Sequence, residues 1–285
     1  MDKEIMDSVL KKVAAINDIS CLGGASITQI IPILSAMGIK TYPVPTVILS
    51  THSGGYANHT YQDLTGHMSK QKDHWKSLSI KFDCIYSGFL GSARQIAIVE
   101  DFIDSFRKDD SLIVIDPVMG DNGTIYSSID ENIINDMKNL VAKADIITPN
   151  LTEAFLLAGE NYIANPSGAD IKNIIYKIKE LGTKNIIITS CPYENKLANV
   201  VLCDDNIDYL LEEKIDAYFP GTGDIFASVL IGCVLNGIGL TEATEISSNF
   251  VRQAIDFSIK QNYSHRSGVL LEAMLPKLYK YNKFL

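Results

Sequence analysis

The chain lacks the cysteine patterns of a disulfide framework or a structural zinc site. Its five cysteines are odd in number, lie scattered over 285 residues and include no Cys-x-x-Cys pair. A set of this kind argues against disulfide scaffolds and zinc ribbons alike. We therefore interpret the cysteines as reduced thiols in the core of the protein.

Basic residues and long apolar segments are also scarce. Lys and Arg number 25 against 34 Asp and Glu, which gives a net charge of −9. Because nucleic acids and anionic membranes recruit basic residues, this balance argues against both as partners. No apolar run approaches the roughly 18 residues of a membrane span, and the acidic start, Met1–Asp7, is unlike a signal peptide. We expect a cytoplasmic protein.

The remaining composition is that of an ordinary globular protein, with 46% hydrophobic and 21% charged residues. At 285 residues the chain fits one α/β domain spanning residues 1–285. Short β-branched runs alternate with longer segments of helical periodicity. This alternation predicts a mostly parallel central sheet with helices on both faces.

The predicted strands are Val13–Ile16, Thr46–Leu49, Cys84–Tyr86, Leu112–Ile115, Ile146–Thr148 and Ile186–Thr189. The predicted helices are Ser26–Met37, Ser92–Phe106, Glu131–Leu140, Asp170–Leu181, Thr222–Leu235 and Glu242–Lys260. Small or polar residues follow each predicted strand. Since the carboxyl ends of parallel strands share one edge of a sheet, we expect one long cleft there. Residues 50–66 are rich in Gly, His, Tyr and Asn, and we expect them to form a mobile flap beside the cleft.

The segment Pro220–Ser228 joins a glycine-rich turn to an apolar helical run, with one carboxylate at the junction. Gly221 and Gly223 can adopt backbone angles that let consecutive amides converge on one anion, and the following helix adds its N-terminal amides. A carboxylate beside a phosphate is unfavourable unless it takes a proton from an attacking hydroxyl. Asp224 is therefore a candidate catalytic base. The alternative is that Asp224 only caps a buried helix.

Two further segments bring oxygen ligands to neighbouring strand ends. Asp116 follows one predicted strand, while Thr148, Asn150 and Glu153 lie at the end of the next. Hard oxygen ligands of this kind suit Mg²⁺ beside nucleotide phosphates. An Asp-Pro turn and an Asn helix cap would account for the same residues without any function.

With these motifs the chain resembles the ribokinase-like superfamily and, within it, the pyridoxal/pyridoxamine kinases. The resemblance covers nearly the whole chain and is carried by Ser87–Ser92, Asp116–Gly123, Asp145–Ala154, Ile188–Ser190 and Asp216–Ser228. Gly-Thr-Gly-Asp indicates only the superfamily, whereas Asp-Pro-Val-Met-Gly-Asp and Ile-Thr-Pro-Asn narrow the resemblance within that superfamily. The resemblance implies a three-layer sandwich with a small flap over the substrate site. It also implies phosphate transfer from ATP to the 5′-hydroxymethyl group of pyridoxal, pyridoxamine or pyridoxine.

The resemblance implies roles for single residues. Asp224 is the expected base, and the amides of Gly221, Thr222 and Gly223 are the expected anion hole. The positions expected to line ATP are Asp116, Asp121, Tyr126, Thr148, Asn150, Glu153, Thr189 and Ser190.

The resemblance also implies cations and a partner subunit. Asp116 and Glu153 match the family's metal-associated carboxylates, with Thr148 nearby, so these residues are expected to bind Mg²⁺. A monovalent cation, K⁺ or Na⁺, is expected beside the phosphates. The family resemblance further implies a homodimer.

On the vitamer side, the matching positions besides the base are Asp18, Val47, His52, Ser53 and Phe89. Asp18 can hydrogen-bond a pyridine ring group, Val47 and Phe89 can enclose an aromatic ring, and His52 can reach the phenolic oxygen. Many B6 kinases carry Ser at the position of Asp18 and Tyr at the position of Phe89.

Two other functions stay open. The turn Gly23–Ala25 is similar to that of hydroxymethylpyrimidine kinases, which phosphorylate a different ring but usually carry Cys where this chain has Asp224. The alternative from another class is a non-catalytic B6-binding protein. Asp224, Asp116 and Glu153 argue against it, because a retired site has no physical reason to keep three repelling carboxylates around a phosphate.

Overall fold

The computed structural model describes residues 9–52, 54–56, 58–127, 129–194 and 196–285. Its strands are β1 Lys12–Ser20, β2 Lys40–Leu49, β3 Tyr61–Asp63, β4 Cys84–Ser87, β5 Leu112–Ile115, β6 Gly120–Asp121, β7 Thr124–Ile125, β8 Ile146–Ile147, β9 Asn185–Tyr193, β10 Lys196–Cys203 and β11 Asn206–Glu212. Its helices are α1 Ile27–Ala36, α2 Thr65–Ser77, α3 Ala93–Phe106, α4 Glu131–Val141, α5 Leu151–Ala158, α6 Gly168–Lys179, α7 Thr222–Leu235, α8 Leu240–Lys260 and α9 Leu271–Met274. Two 3₁₀ helices cover His265–Ser267 and Leu275–Tyr281.

The chain divides into two compact units. The first unit contains the described residues up to Tyr86 together with Phe106–Ser111 and Ile215–Leu285, and the second unit contains Ser87–Ser105 and Leu112–Lys214. The single domain predicted over residues 1–285 stays a prediction. Among the described residues, no helix combines the length and the apolarity that crossing a membrane requires.

In the first unit the strands follow the order β4-β1-β2-β3. β1 and β2 are parallel, and β3 pairs antiparallel with the end of β2. β2 begins six residues before the predicted strand and contains Pro43 and Pro45. The carbonyl oxygen of Pro43 accepts from the side chain of Gln71 on α2, so the Pro43 backbone points away from β1. Proline fits there because its missing N–H is on the side that has no ladder partner.

In the second unit the order is β11-β10-β9-β8-β5, with β5, β8 and β9 parallel and β9, β10 and β11 antiparallel. β10 and β11 form a hairpin whose two turn residues, Asp204 and Asp205, have φ of 47° and 66°. Positive φ at both central residues gives the turn the twist that a two-residue hairpin needs.

The structure contains each predicted strand and each predicted helix. Sequence analysis missed α2, because this helix is mostly polar and buries only Thr65 and Met68. It also missed the hairpin β10–β11 and the short strand β3, which lies within the predicted flap at residues 50–66. A three-residue strand with all its side chains exposed has no hydrophobic alternation to reveal it.

An aromatic cluster fills the core of the first unit beside β2. Phe82 is fully buried, and its ring centroid lies 5.5 Å from that of Tyr42, 5.7 Å from that of Trp75 and 6.0 Å from that of Phe106. The rings meet edge to face or tilted, which is the arrangement that aromatic quadrupoles prefer.

We expect Phe82→Ala to lower the free energy of unfolding by about 3–5 kcal/mol, because it leaves a cavity among three rings. The matched control is Leu78→Ala, at a side chain that is 54% exposed, and it should change stability by less than about 0.5 kcal/mol. Urea denaturation of both variants measures the two values. Equal losses would show that the cluster is not a stabilising core.

Candidate active site

Asp224 lies at the third position of α7, and two other elements of the first unit hold its carboxylate. The side-chain amide of Asn17, on β1, donates to Oδ1 at 2.8 Å. The backbone N–H of Ser26, directly before α1, donates to Oδ2 at 2.9 Å. The N-cap of α7 is Gly221, and no side chain caps this helix. The interpretation of Asp224 as a mere helix cap is therefore wrong.

The surroundings of Asp224 change its acidity. Burial of the carboxylate and the negative charge of Asp18 raise the pKa of Asp224 to about 7, against the opposing hydrogen bonds from Ser26 and Asn17. A general base works best when its pKa lies near the operating pH. Asp224 meets this condition at neutral pH.

The turn before α7 requires glycine. Gly221 has φ of 79°, and a Cβ at this position would lie 2.6 Å from the Gly24 carbonyl oxygen and 2.6 Å from Oε1 of Gln29. The amides of the first helical turn, including those of Thr222 and Gly223, have no acceptor within the helix. Such amides and the helix dipole suit an anion, and the predicted anion hole at this turn stays a prediction.

Asp18 is buried near the end of β1 and close to Asp224. The hydroxyl of Ser20 donates to its Oδ2 at 2.8 Å, and the hydroxyl of Ser26 donates to its Oδ1 at 2.5 Å. Burial raises the pKa of Asp18, and both serine hydrogen bonds oppose this shift. Both carboxylate oxygens are thus engaged within the protein. Contact between Asp18 and a pyridine ring stays a prediction.

His52 is buried, and a single contact defines its tautomer. Its Nε2 lies 2.7 Å from the carbonyl oxygen of Arg266. A carbonyl oxygen only accepts, so Nε2 carries the proton and Nδ1 of the neutral ring is an acceptor. Nδ1 has no hydrogen-bond partner among the described residues. His52 can therefore accept a hydrogen bond from a ligand hydroxyl or amino group.

For the other three predicted vitamer positions, the structure gives a location at most. Val47 is fully buried on β2, opposite Asp63 of β3. Phe89 is half-buried and belongs to the second unit. Ser53 lies outside the described residues. The contacts predicted between these three residues and a ring stay predictions.

In the second unit, Glu153 and Asp116 form a buried pair of carboxylates. Glu153 Oε2 accepts from the Asn150 N–H at 2.8 Å, and Oε1 accepts from the Met119 N–H at 3.1 Å. Burial and the charge of Asp116 raise the pKa of Glu153 well above its usual range. Two adjacent buried carboxylates ionise together only when a cation compensates them.

These residues fit Mg²⁺. The hydroxyl of Thr148 is buried and has no hydrogen-bond partner among the described residues, so it is an oxygen ligand available beside the two carboxylates. In the part of the chain that the structure describes, no three His, Cys, Asp or Glu side chains gather as a metal cluster. Mg²⁺ commonly takes one or two carboxylates and completes its shell with water and substrate phosphates, which this donor set allows.

Two further predicted nucleotide positions, Asn150 and Thr189, lie directly before α5 and on β9. Asn150 caps this helix, since its Oδ1 accepts from the Glu153 N–H at 3.0 Å, and its Nδ2 donates to the Gly120 carbonyl at 2.8 Å. The cap interpretation of Asn150 is confirmed. Its backbone also bridges to that of Thr189 on β9. Nucleotide contacts of Asn150 and Thr189 stay predictions.

Of three further predicted positions, Asp121 and Tyr126 lie at or just after short strands of the second unit, and Ser190 lies within β9. Asp121, at the end of β6, accepts from the Asn122 N–H at 2.8 Å, and burial raises its pKa. Tyr126 is 41% exposed. Ser190, with φ of 52°, is also exposed. Their contacts with a nucleotide stay predictions.

Sequence reasoning missed Asn17 and Ser26 as site residues. Asn17 directly follows a predicted strand, which is the available signal. Ser26 has no comparable signal, because a serine before a helix ordinarily predicts an N-cap. Here its side chain makes no capping hydrogen bond and bonds Asp18 instead.

Comparison with known proteins connects these groups to a family. The family model described as phosphomethylpyrimidine kinase matches residues 21–268. A curated pyridoxal kinase from Dictyostelium discoideum is 26% identical over 241 residues, which are 78% of this chain and 77% of that protein.

Solved structures agree with this match. The crystal structure of a candidate phosphomethylpyrimidine kinase from Bacteroides thetaiotaomicron has a TM-score of 0.91 and 41% identity, over 95% of this chain and 94% of that one. That protein was also crystallised with pyridoxal. Pyridoxal kinase from Lactobacillus plantarum has a TM-score of 0.90 and 28% identity, over 96% of this chain and 99% of that one. The likeness confirms the predicted ribokinase-like fold class and the resemblance to pyridoxal kinases.

The raised pKa of Asp224 gives the folded protein a defined pH dependence. The folded-state value of about 7 lies above the usual 3.8, so the stabilisation by neutral Asp224 is complete below about pH 4 and is lost as the pH rises to about 7. The melting temperature of Asp224→Asn, measured relative to the wild type, should therefore rise by on the order of 5 °C between pH 4 and pH 8. Scanning calorimetry measures it. A difference that stays constant over this range would contradict the raised pKa.

Proposed function

Because the chain belongs to the phosphomethylpyrimidine kinase family, we propose that it transfers phosphate from ATP to the 5′-hydroxymethyl group of a B6 vitamer, which is pyridoxal, pyridoxamine or pyridoxine. It is then a pyridoxal kinase, a phosphotransferase with an alcohol acceptor. The observation that carries the proposal is the carboxylate of Asp224, oriented by Asn17 and Ser26 beside the glycine turn at Gly221.

The chain's own groups account for the steps of such a transfer. Asp224 takes the proton from the substrate hydroxyl while the hydroxyl oxygen attacks the γ-phosphorus of ATP, the bond to the β,γ-bridging oxygen breaks and ADP leaves. The amides at the start of α7 stabilise the negative charge on the transferring phosphoryl oxygens. Positioning and electrostatics supply most of the acceleration in phosphoryl transfer, and a general base adds about 10²–10⁴-fold.

The second-unit residues are assigned to the nucleotide. Asp116, Glu153 and Thr148 would hold Mg²⁺, which neutralises the phosphate charge that two carboxylates would otherwise repel. A monovalent cation, K⁺ or Na⁺, beside the phosphates belongs to the same proposal. So do a cytoplasmic location and a homodimeric state, both of which rest on the family resemblance.

The alternative substrate is a hydroxymethylpyrimidine, because the family model and the Bacteroides thetaiotaomicron relative both carry a phosphomethylpyrimidine kinase description. Two observations favour the B6 ring. The same relative, at 41% identity, was crystallised with pyridoxal. The chain also has Asp224 where pyrimidine kinases usually have Cys.

ADP release measured with pyridoxal, pyridoxamine, pyridoxine and hydroxymethylpyrimidine tests the proposal. We expect turnover with at least one B6 vitamer and a lower kcat/KM with the pyrimidine. Asp224→Asn should lower kcat by on the order of 10²-fold or more and leave ATP affinity unchanged or improved, because one negative charge beside the γ-phosphate is removed.

The matched control is Asp256→Asn, which removes an exposed carboxylate of α8 that pairs with Lys260. It should retain full activity. A folded Asp224→Asn variant with near-wild-type kcat would exclude Asp224 as the base. Turnover of the pyrimidine alone would assign the enzyme to the alternative substrate.

Removal of Mg²⁺ tests the role assigned to Asp116 and Glu153. Excess EDTA should abolish turnover and weaken nucleotide binding, and added Mg²⁺ should restore both. Isothermal titration with ADP, with and without Mg²⁺, measures the binding directly. Undiminished affinity and activity in EDTA would be incompatible with a divalent cation at these carboxylates.

A further inference from the structure

Asp18 and Asp224 are neighbouring carboxylates of the first unit that share two bridging residues. Ser26 donates its hydroxyl to Asp18 at 2.5 Å and its backbone N–H to Asp224 at 2.9 Å. Asn17 forms the second bridge, because its Oδ1 accepts from the Asp18 N–H at 2.9 Å while its Nδ2 donates to Asp224 at 2.8 Å. Ser26, which orients Asp224, is therefore held by the side chain of Asp18, whereas Asn17 is held by the Asp18 backbone N–H.

The backbone conformation of Ser26 indicates that this arrangement is specific. Ser26 has φ of 57° and ψ of −137°, a conformation that favours glycine, and it is 6% exposed. A serine keeps such a conformation only when the surrounding structure holds it there. The hydrogen bond from its hydroxyl to Asp18 is the contact that a glycine could not make. It holds the Ser26 amide at the angle from which it reaches Asp224.

We propose that Asp18 is a positioning residue of the catalytic base: it holds Ser26 in this conformation, and the Ser26 amide and the Asn17 side chain then fix the Asp224 carboxylate. The proposal rests on the proposed function of Asp224. It gives Asp18 a role toward the base, in contrast to the ring-binding role that the family resemblance implies.

The charge of Asp18 has a separate consequence. The negative charge of Asp18, on β1, raises the pKa of Asp224 electrostatically. Asn17 and Ser26, which bond Asp224, are neutral. His52, in the segment after β2, lowers the pKa of Asp18 electrostatically. Among the described residues of α1 and α8, the helices packed against α7, none is a charged group that shifts Asp224. Removing the charge of Asp18 should therefore lower the pKa of the base.

Two variants separate the hydrogen bond from the charge. Ser26→Ala removes the hydroxyl and keeps the backbone amide, so kcat should fall by on the order of 10-fold through misplacement of the base, with the KM values for ATP and the vitamer unchanged. Asp18→Asn keeps the shape and can still bond a serine. It should shift the acidic limb of the kcat/KM profile to lower pH by about 1 unit.

Two comparisons make the assignment specific. Ser247→Ala removes a hydroxyl that is also buried, on α8, where it donates to the Ala243 carbonyl, and it should leave kcat unchanged. The double variant Asp18→Ala/Ser26→Ala should lose less kcat than the product of the losses in Asp18→Ala and Ser26→Ala, because either single change breaks the same contact. Strictly multiplicative losses would contradict that shared contact.

A ring-binding role gives a different pattern. If Asp18 only binds the vitamer, Asp18→Asn raises the vitamer KM and leaves the acidic limb in place, and this result would overturn the proposal.

A readout without turnover separates this proposal from the proposed function. The pH-dependent melting difference between Asp224→Asn and its parent is measured again in an Asp18→Asn background, where its midpoint should move to lower pH. If no ring is phosphorylated but the midpoint moves, the proposed function fails and the coupling of Asp18 to Asp224 stands. If the enzyme is active and the midpoint does not move, the Asp18 proposal fails alone.

Discussion

The carboxylate of Asp224, held between Asn17 and Ser26, is the interaction on which the candidate site of the first unit depends. It requires three elements, β1, α1 and α7, to meet within hydrogen-bond distance. Glycines allow this approach. A Cβ on Gly221 would meet the Gly24 carbonyl at 2.6 Å, and a Cβ on Gly232 would lie 2.2 Å from Sδ of Met37, just after α1. The apolar packing of α7 thus brings the acidic residue to the end of β1.

Both units concentrate negative charge in a protein that already carries a net charge of −9. Asp18 faces Asp224 in the first unit, and Asp116 faces Glu153 in the second. Burial and the neighbouring carboxylate raise the pKa of Asp224 in the first pair and of Glu153 in the second, so each pair has a high affinity for a cation or a proton. The second unit offers Thr148 as a further oxygen ligand, whereas the first offers N–H and hydroxyl donors. This difference suits a metal at one pair and proton transfer at the other.

Periodicity and strand-end polarity predict most of the fold, because every strand and helix predicted from an apolar pattern is present in the structure. The sequence also indicates Asp224, Asp116 and Glu153, since a carboxylate beside a glycine turn or at a strand end is typical of a phosphate or metal site. It cannot indicate Ser26, whose role depends on a backbone angle that no local pattern specifies. The bond between Asp18 and Ser26 spans eight residues, and the bond between Asn17 and Asp224 spans 207. Contacts of this kind come from tertiary packing, which propensity and spacing do not encode.

The geometry of the site residues accounts for the proposed reaction, but it does not identify the ring that is phosphorylated. The carbonyl of Arg266 fixes the His52 tautomer and makes Nδ1 an acceptor. An acceptor bonds the phenolic hydroxyl of a B6 vitamer and the amino group of a hydroxymethylpyrimidine equally well, because both are donors. In the proposed function, His52 therefore orients a ring without distinguishing between the two rings. The proton removal proposed for Asp224 does not distinguish the rings either, since both carry a hydroxymethyl group. Selection between the rings must therefore come from other contacts of the site, and an apolar contact that differs by one methylene changes binding by only about 1–3 kcal/mol.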